Sequence, residues 1–104
     1  MFTHRVEMQL KADSFILLSR KVENTIMPLL RLQKGFQDGL TSVAPERSTA
    51  TEDTHWNTKE DAEAYHRTGY LEVAKTLSEV VSAPPITSIF EVSISAFDQA
   101  DGLY

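Results

Sequence analysis

Phe2-Thr3-His4-Arg5-Val6-Glu7-Met8-Gln9-Leu10 alternates without a fault, and Phe15-Ile16-Leu17-Leu18, a few residues on, does not. Phe2, His4, Val6, Met8 and Leu10 share one side of an extended chain, with Thr3, Arg5, Glu7 and Gln9 on the other. Period two with one apolar side reads as a half-buried strand. Lys11-Ala12-Asp13-Ser14 is the turn, and Asp13 or Ser14 is placed to cap the next element. From Phe15 the period changes, because Phe15, Leu18, Val22, Ile26 and Leu29 recur at spacings of three and four, a helical stripe. Pro28 lacks an N–H and crowds the carbonyl of Asn24, so either a kink or a fresh short turn is expected there. Gly35 supplies the stop.

The rest of the chain completes the pattern. Residues 36–43 read as a second strand with Phe36 and Leu40 turned inward, and Ala44-Pro45-Glu46-Arg47 as a hairpin connection. Residues 48–56, rich in threonine and ending on Trp56, read as a third strand. Thr58 opens a second helix, with Asp61 three residues on as an acidic capping partner. Its stripe is Ala62, Tyr65, Gly69, Val73, Leu77 and Val80, and Gly69 marks either a break or a close approach. Pro84-Pro85 ends the helix, and residues 86–97 form the fourth strand, with Ile86, Phe90, Val92 and Ile94 on it. Residues 98–104 are a short acidic tail, so one domain spans residues 1–97.

The order β-α-β-β-α-β is the ferredoxin-like α+β arrangement: an antiparallel four-stranded sheet with both helices on one face. The other face is left bare. Thr87, Ile89 and Phe97 lie in opposite register to Phe90 and Val92, so the fourth strand is apolar on both sides. A bare, partly apolar sheet face is covered most simply by a twofold copy of itself, so a homodimer by sheet-face packing is expected.

Composition narrows the function classes. With 41% hydrophobic and 24% charged residues, this is an ordinary globular chain. The net charge of −5 argues against nucleic acid as a partner. No apolar run nears the roughly 18–20 residues needed to cross a bilayer, and the N-terminus lacks a signal-peptide core. Membrane association is therefore not expected, and a cytoplasmic location is. The absence of cysteine excludes disulfides, thiolate metal sites and cysteine nucleophiles.

The third strand carries the chemistry. Thr49, Thr51, Asp53 and His55 lie on one side and Ala50, Glu52, Thr54 and Trp56 on the other, so a central strand is polar on both faces. Polar groups buried there need water, a ligand or a network. Antiparallel pairing of the first and third strands would bring His4 and His55 together. Asp53, two residues before His55, would then orient an imidazole acting as general base. Trp56 reads first as core and second as a ring-stacking wall. Tyr65 and Tyr70 lie on or beside the helical stripe, and Thr51 joins the candidate substrate contacts. Glu63-x-x-His66 is a single copy of a motif that di-metal sites use twice, and it leans to the outer helix face, so no metal site is expected. Phosphate-binding and serine-hydrolase motifs are absent.

Two runs carry a resemblance. Pro28-Leu29-Leu30-Arg31-Leu32-Gln33-Lys34-Gly35-Phe36-Gln37-Asp38 is similar to the first-helix-to-second-strand passage of antibiotic biosynthesis monooxygenase-like proteins, which are dimeric α/β-barrel domains. Trp56-Asn57-Thr58-Lys59-Glu60-Asp61-Ala62-Glu63-Ala64-Tyr65 resembles that group's third-strand tryptophan and capped helix. The resemblance implies a cavity between sheet and helices in which a cofactor-free oxygenase takes an aromatic or phenolic metabolite. His55 or His4 would be base, Asp53 its orienter, and Trp56, Tyr65, Tyr70 and Thr51 the substrate contacts. The rival reading is a non-catalytic ligand-binding or stress-associated dimer that uses the same cavity without turnover. The haem-degrading branch places an asparagine, a tryptophan and a ligating histidine where this chain has His4, Tyr65 and Lys75, so haem degradation by that scheme is not expected.

Overall fold

The computed structural model describes residues 1–92. The expected Ile94, Phe97 and the acidic tail lie outside the described residues. The elements are β1 (Phe2–Gln9), α1 (Phe15–Lys21), a π-helical segment (Val22–Ile26), α2 (Met27–Arg31), β2 (Phe36–Val43), β3 (Thr49–Trp56), α3 (Lys59–Arg67), α4 (Gly69–Leu77) and β4 (Ile86–Glu91). The strands form one antiparallel sheet in the order β2-β3-β1-β4, the ferredoxin-like topology. The core lies between one face of this sheet and the helices. It is built from Val6, Met8 and Leu10, from Leu18, Ile26 and Leu30, and from Val73, Leu77 and Val80.

Pro28 is accommodated by a widened turn. The residues turned inward on the first helix are Leu18, Val22, Ile26 and Leu30, a spacing of four that overshoots the α-helical repeat, and Leu29 lies to the side. The π segment absorbs the excess and sets Pro28 in the first turn of α2, where its missing N–H costs nothing. Ser14 holds the N-cap position of α1 without a side-chain hydrogen bond. Thr58 does cap α3, its Oγ1 accepting from the Asp61 N–H at 3.1 Å.

Gly35 turns the chain at φ +82°, and a Cβ there would collide with the Asp61 side chain. Gly35→Ala is expected to cost at least about 1–2 kcal/mol from the left-handed backbone alone. Urea unfolding checks this, and an unchanged midpoint would refute it.

One expectation is overturned on β2. Phe36 faces inward against Trp56, but Leu40 is 58% exposed. The register jumps between Phe36 and Asp38, a bulge that adds one residue. Every side chain beyond it is thereby flipped, so Gly39, Thr41 and Val43 face the helices and Leu40 faces out.

The outer sheet face follows from the same register. Asp38, His55, Thr3 and Phe90 form one row across it, then Leu40, Asp53, Arg5 and Ser88, then Ser42, Thr51, Glu7 and Ile86. Arg5 donates from Nε and Nη2 to the two oxygens of Asp53 at 2.8 Å each and lies over the Phe90 ring at 5.1 Å. Leu40, Ile86 and Phe90 stay exposed around this pair.

Gly69 is both a break and a close approach. Thr68 leaves helical geometry at φ −124°, ψ −84°, separating α3 from α4. A Cβ at Gly69 would sit 2.8 Å from the Gln33 carboxamide and 3.1 Å from Tyr65.

Candidate functional site

Alternation on β1 turns His4 toward the helices, and its cross-strand partner on β3 is Thr54. Counting in twos along β3 puts Glu52, Thr54 and Trp56 on that same inner face. On α3, Ala62, Tyr65 and His66 are spaced to cover them, and Tyr70 comes just after the break. The result is a box of rings. Trp56 stacks on Tyr65 at 4.7 Å, Tyr70 stacks on His66 at 5.4 Å, and His4 stands between Tyr65 (5.2 Å) and Tyr70 (5.0 Å). Trp56 is 0% exposed, His4 1% and Glu52 2%.

His4 and Glu52 are each bonded through one side-chain atom only. His4 Nε2 and His66 Nδ1 share a hydrogen bond at 2.9 Å, while His4 Nδ1 has no partner. Thr41 Oγ1 donates to Glu52 Oε2, and Glu52 Oε1 has none. Trp56 Nε1 donates to Thr54 Oγ1 at 2.9 Å, which in turn donates to the His4 carbonyl at 3.3 Å.

Burial sets the protonation. His4 is pushed down to about 4, first by burial and then by His66, with its own backbone carbonyl opposing. Glu52 is raised by burial, with the Thr41 hydrogen bond opposing and the charge of Asp53 adding. Tyr65 is raised by burial, then by Glu52 and Tyr70, and Tyr70 by burial alone. The His4 imidazole is thus held neutral and walled by aromatic rings, which fill the space between sheet and helices. A cavity of about 420 Å³ beside α2 and α3, lined by Gln33, Lys34, Asp61, Arg67 and Thr68, reaches Tyr65 from outside.

The residues singled out from sequence divide between the two sheet faces. His4, Trp56, Tyr65 and Tyr70 come together. His55, Asp53 and Thr51 lie on the outer face, so His4 and His55 are not neighbours: the partner of His55 on β1 is Thr3. Asp53 is engaged by Arg5, and the carboxylate that holds His55 Nδ1 is Asp38. Thr51 lines a groove of about 620 Å³ with Glu7, Ser42 and Ile86. Thr41 is not singled out by the sequence, Glu52 reads there only as sharing the Trp56 side of the third strand, and His66, expected on the outer helix face with Glu63, instead turns in to His4 and Tyr70. Two carried a signal: Glu52 shares the parity of Trp56, and His66 lies four residues beyond Ala62. Among the described residues, no group of three or more His, Cys, Asp or Glu side chains is placed to hold a metal ion. None of the helices there is long and apolar enough to cross a membrane.

No protein-family model matches the sequence, and no curated protein matches it significantly. Solved structures do match. An antibiotic biosynthesis monooxygenase-like protein of Bordetella bronchiseptica superposes with a TM-score of 0.74 at 14% identity, covering 89% of this chain and 97% of that one. A protein of the same description from Nitrosomonas europaea gives 0.72 at 16% identity, covering 89% and 90%. A monooxygenase of Streptomyces coelicolor, solved with the ligand nanaomycin D, gives 0.71 at 13% identity, covering 88% and 87%. Likeness at this identity speaks for architecture, and in architecture the resemblance read from the sequence holds: this chain has the protomer fold of the antibiotic biosynthesis monooxygenase-like structures.

Proposed function

We propose that the protein is a cofactor-independent monooxygenase acting on an aromatic or phenolic metabolite, with His4 as the base and His66 as the residue that orients it. The observation that supports this most is the hydrogen-bonded His4–His66 pair inside a closed box of aromatic rings. The depressed pKa of His4 keeps the imidazole neutral and ready to accept a proton, and a phenolate forming beside it would raise that pKa. Deprotonated substrate then reduces oxygen with its own electrons. One oxygen atom ends in a new ring carbonyl and the other in water, at the expense of a ring CH₂. The same proposal takes the protein to be a cytoplasmic homodimer packed through the outer sheet face, where Leu40, Ile86 and Phe90 would be covered.

Oxygen uptake by chelator-treated protein, with anthrone, a naphthol and a quinol as substrates, tests the reading. Uptake is expected to survive chelation and to fall in His4→Asn and His66→Asn. Uptake indifferent to both variants would remove the base assignment, and loss in His55→Ala instead would move the base to the outer face. A non-catalytic ligand-binding dimer is the second reading, since the cavity beside α2 and α3 reaches Tyr65 and not His4. It predicts quenching of Trp56 fluorescence by the naphthol with no uptake.

A further inference from the structure

The outer sheet face carries its own histidine–carboxylate pair. His55 Nδ1 is hydrogen-bonded to Asp38 Oδ1 across β3 and β2, with the imidazole 23% exposed and the carboxylate 69%. A carboxylate can only accept, so Nδ1 keeps its hydrogen, and Nε2 is the atom that gains or loses a proton. On the other side of His55 stands Thr3, which is 1% exposed and whose Oγ1 has no hydrogen-bond partner among the described residues. The imidazole therefore lies against a dry patch, where a charge is screened less than in open water.

The charges around it are unbalanced. Asp38 is beside His55, Asp53 and Arg5 are in the next row and Glu7 in the row beyond, while the other side chains of these rows are uncharged. Three carboxylates against one guanidinium leave a surplus of two negative charges, which a protonated His55 cuts to one. The helices lie on the opposite face and add nothing here. A second copy packed through this face brings the same surplus against itself, because a twofold contact uses the same patch on both sides. Like charges brought together oppose association. The sign holds for any alignment of the two sheets, since it depends on the surplus of the whole face.

We infer that His55, held by Asp38, makes self-association through the outer sheet face pH-dependent: the partner is a second copy of this chain, and protonation of the two His55 imidazoles strengthens the contact. This rests on the proposed homodimer. Leu40, Ile86 and Phe90 supply apolar area whose burial does not vary with pH. The Arg5–Asp53 pair is already satisfied within one protomer. Histidine is the side chain that ordinarily changes charge between pH 5 and 8, and His55 is the histidine on this face. A dimer that favours the charged imidazole binds more protons than two monomers, so its dissociation constant falls as the pH falls.

Sedimentation equilibrium at low ionic strength, at about pH 6 and about pH 8, tests this. His4, held down to about 4, stays neutral in the folded chain at both values. The wild-type dimer is expected to be about fivefold tighter at the lower pH. His55→Gln, which keeps a side-chain N–H for Asp38, is expected to flatten the dependence. Asp38→Asn removes a carboxylate from each face and is expected to tighten the dimer at about pH 8. Equal wild-type constants at the two pH values, a dependence that survives His55→Gln, or a weaker dimer in Asp38→Asn overturns the inference and leaves the homodimer standing. A monomer at both pH values overturns the two together.

Discussion

Acidification from pH 6.5 to about 4 should cost the fold roughly 3 kcal/mol through His4 alone, at about 1.4 kcal/mol per pKa unit. The unfolded chain takes up this proton near 6.5, whereas the folded chain resists it until about 4. Between those values the unfolded state holds more protons. The contribution is therefore complete above 6.5, is lost as the pH falls, and does not change further below about 4. Glu52 has the opposite sign, because its folded pKa is raised: its contribution is present below 4.5 and lost as the pH rises through the folded value. Urea midpoints of the wild-type protein and His4→Asn, taken above 6.5 and near 4, isolate the His4 part. The variant should lack most of the acid loss, and parallel slopes would sink the assignment.

Trp56→Ala is expected to destabilise the fold by about 3–5 kcal/mol, the usual cost of emptying a buried aromatic site. That is a large share of the ~5–15 kcal/mol by which native domains are stable. Trp56 ends β3 and pairs with Phe2 on one side and Phe36 on the other, with the Phe36 ring at 5.5 Å and the Tyr65 ring stacked at 4.7 Å. Walls drawn from three strands and a helix cannot collapse into the space together. The change also strips Thr54 Oγ1 of its donor. Trp56→Phe keeps a ring and should lose less. A loss below about 1 kcal/mol in Trp56→Ala, measured by equilibrium unfolding, would mean the box is loosely packed.

The change of period after Leu10, the positive φ of Gly35 and the break at Gly69 were all legible in the chain, because each is a local matter of spacing or backbone freedom. So was the inward set His4, Trp56, Tyr65 and Tyr70, which comes from counting in twos along strands and in threes and fours along a helix. The extra residue at the β2 bulge was not legible, and it reversed Leu40. Nor was the pairing of His55 with Thr3 rather than His4, which sends two histidines at matching strand ends to opposite faces. Local period says which residues share a side; only strand register, fixed by packing across the whole sheet, says which residue stands opposite. The His4–His66 bond and the stranded Glu52 oxygen belong to that second kind, since each depends on elements brought together from distant parts of the chain.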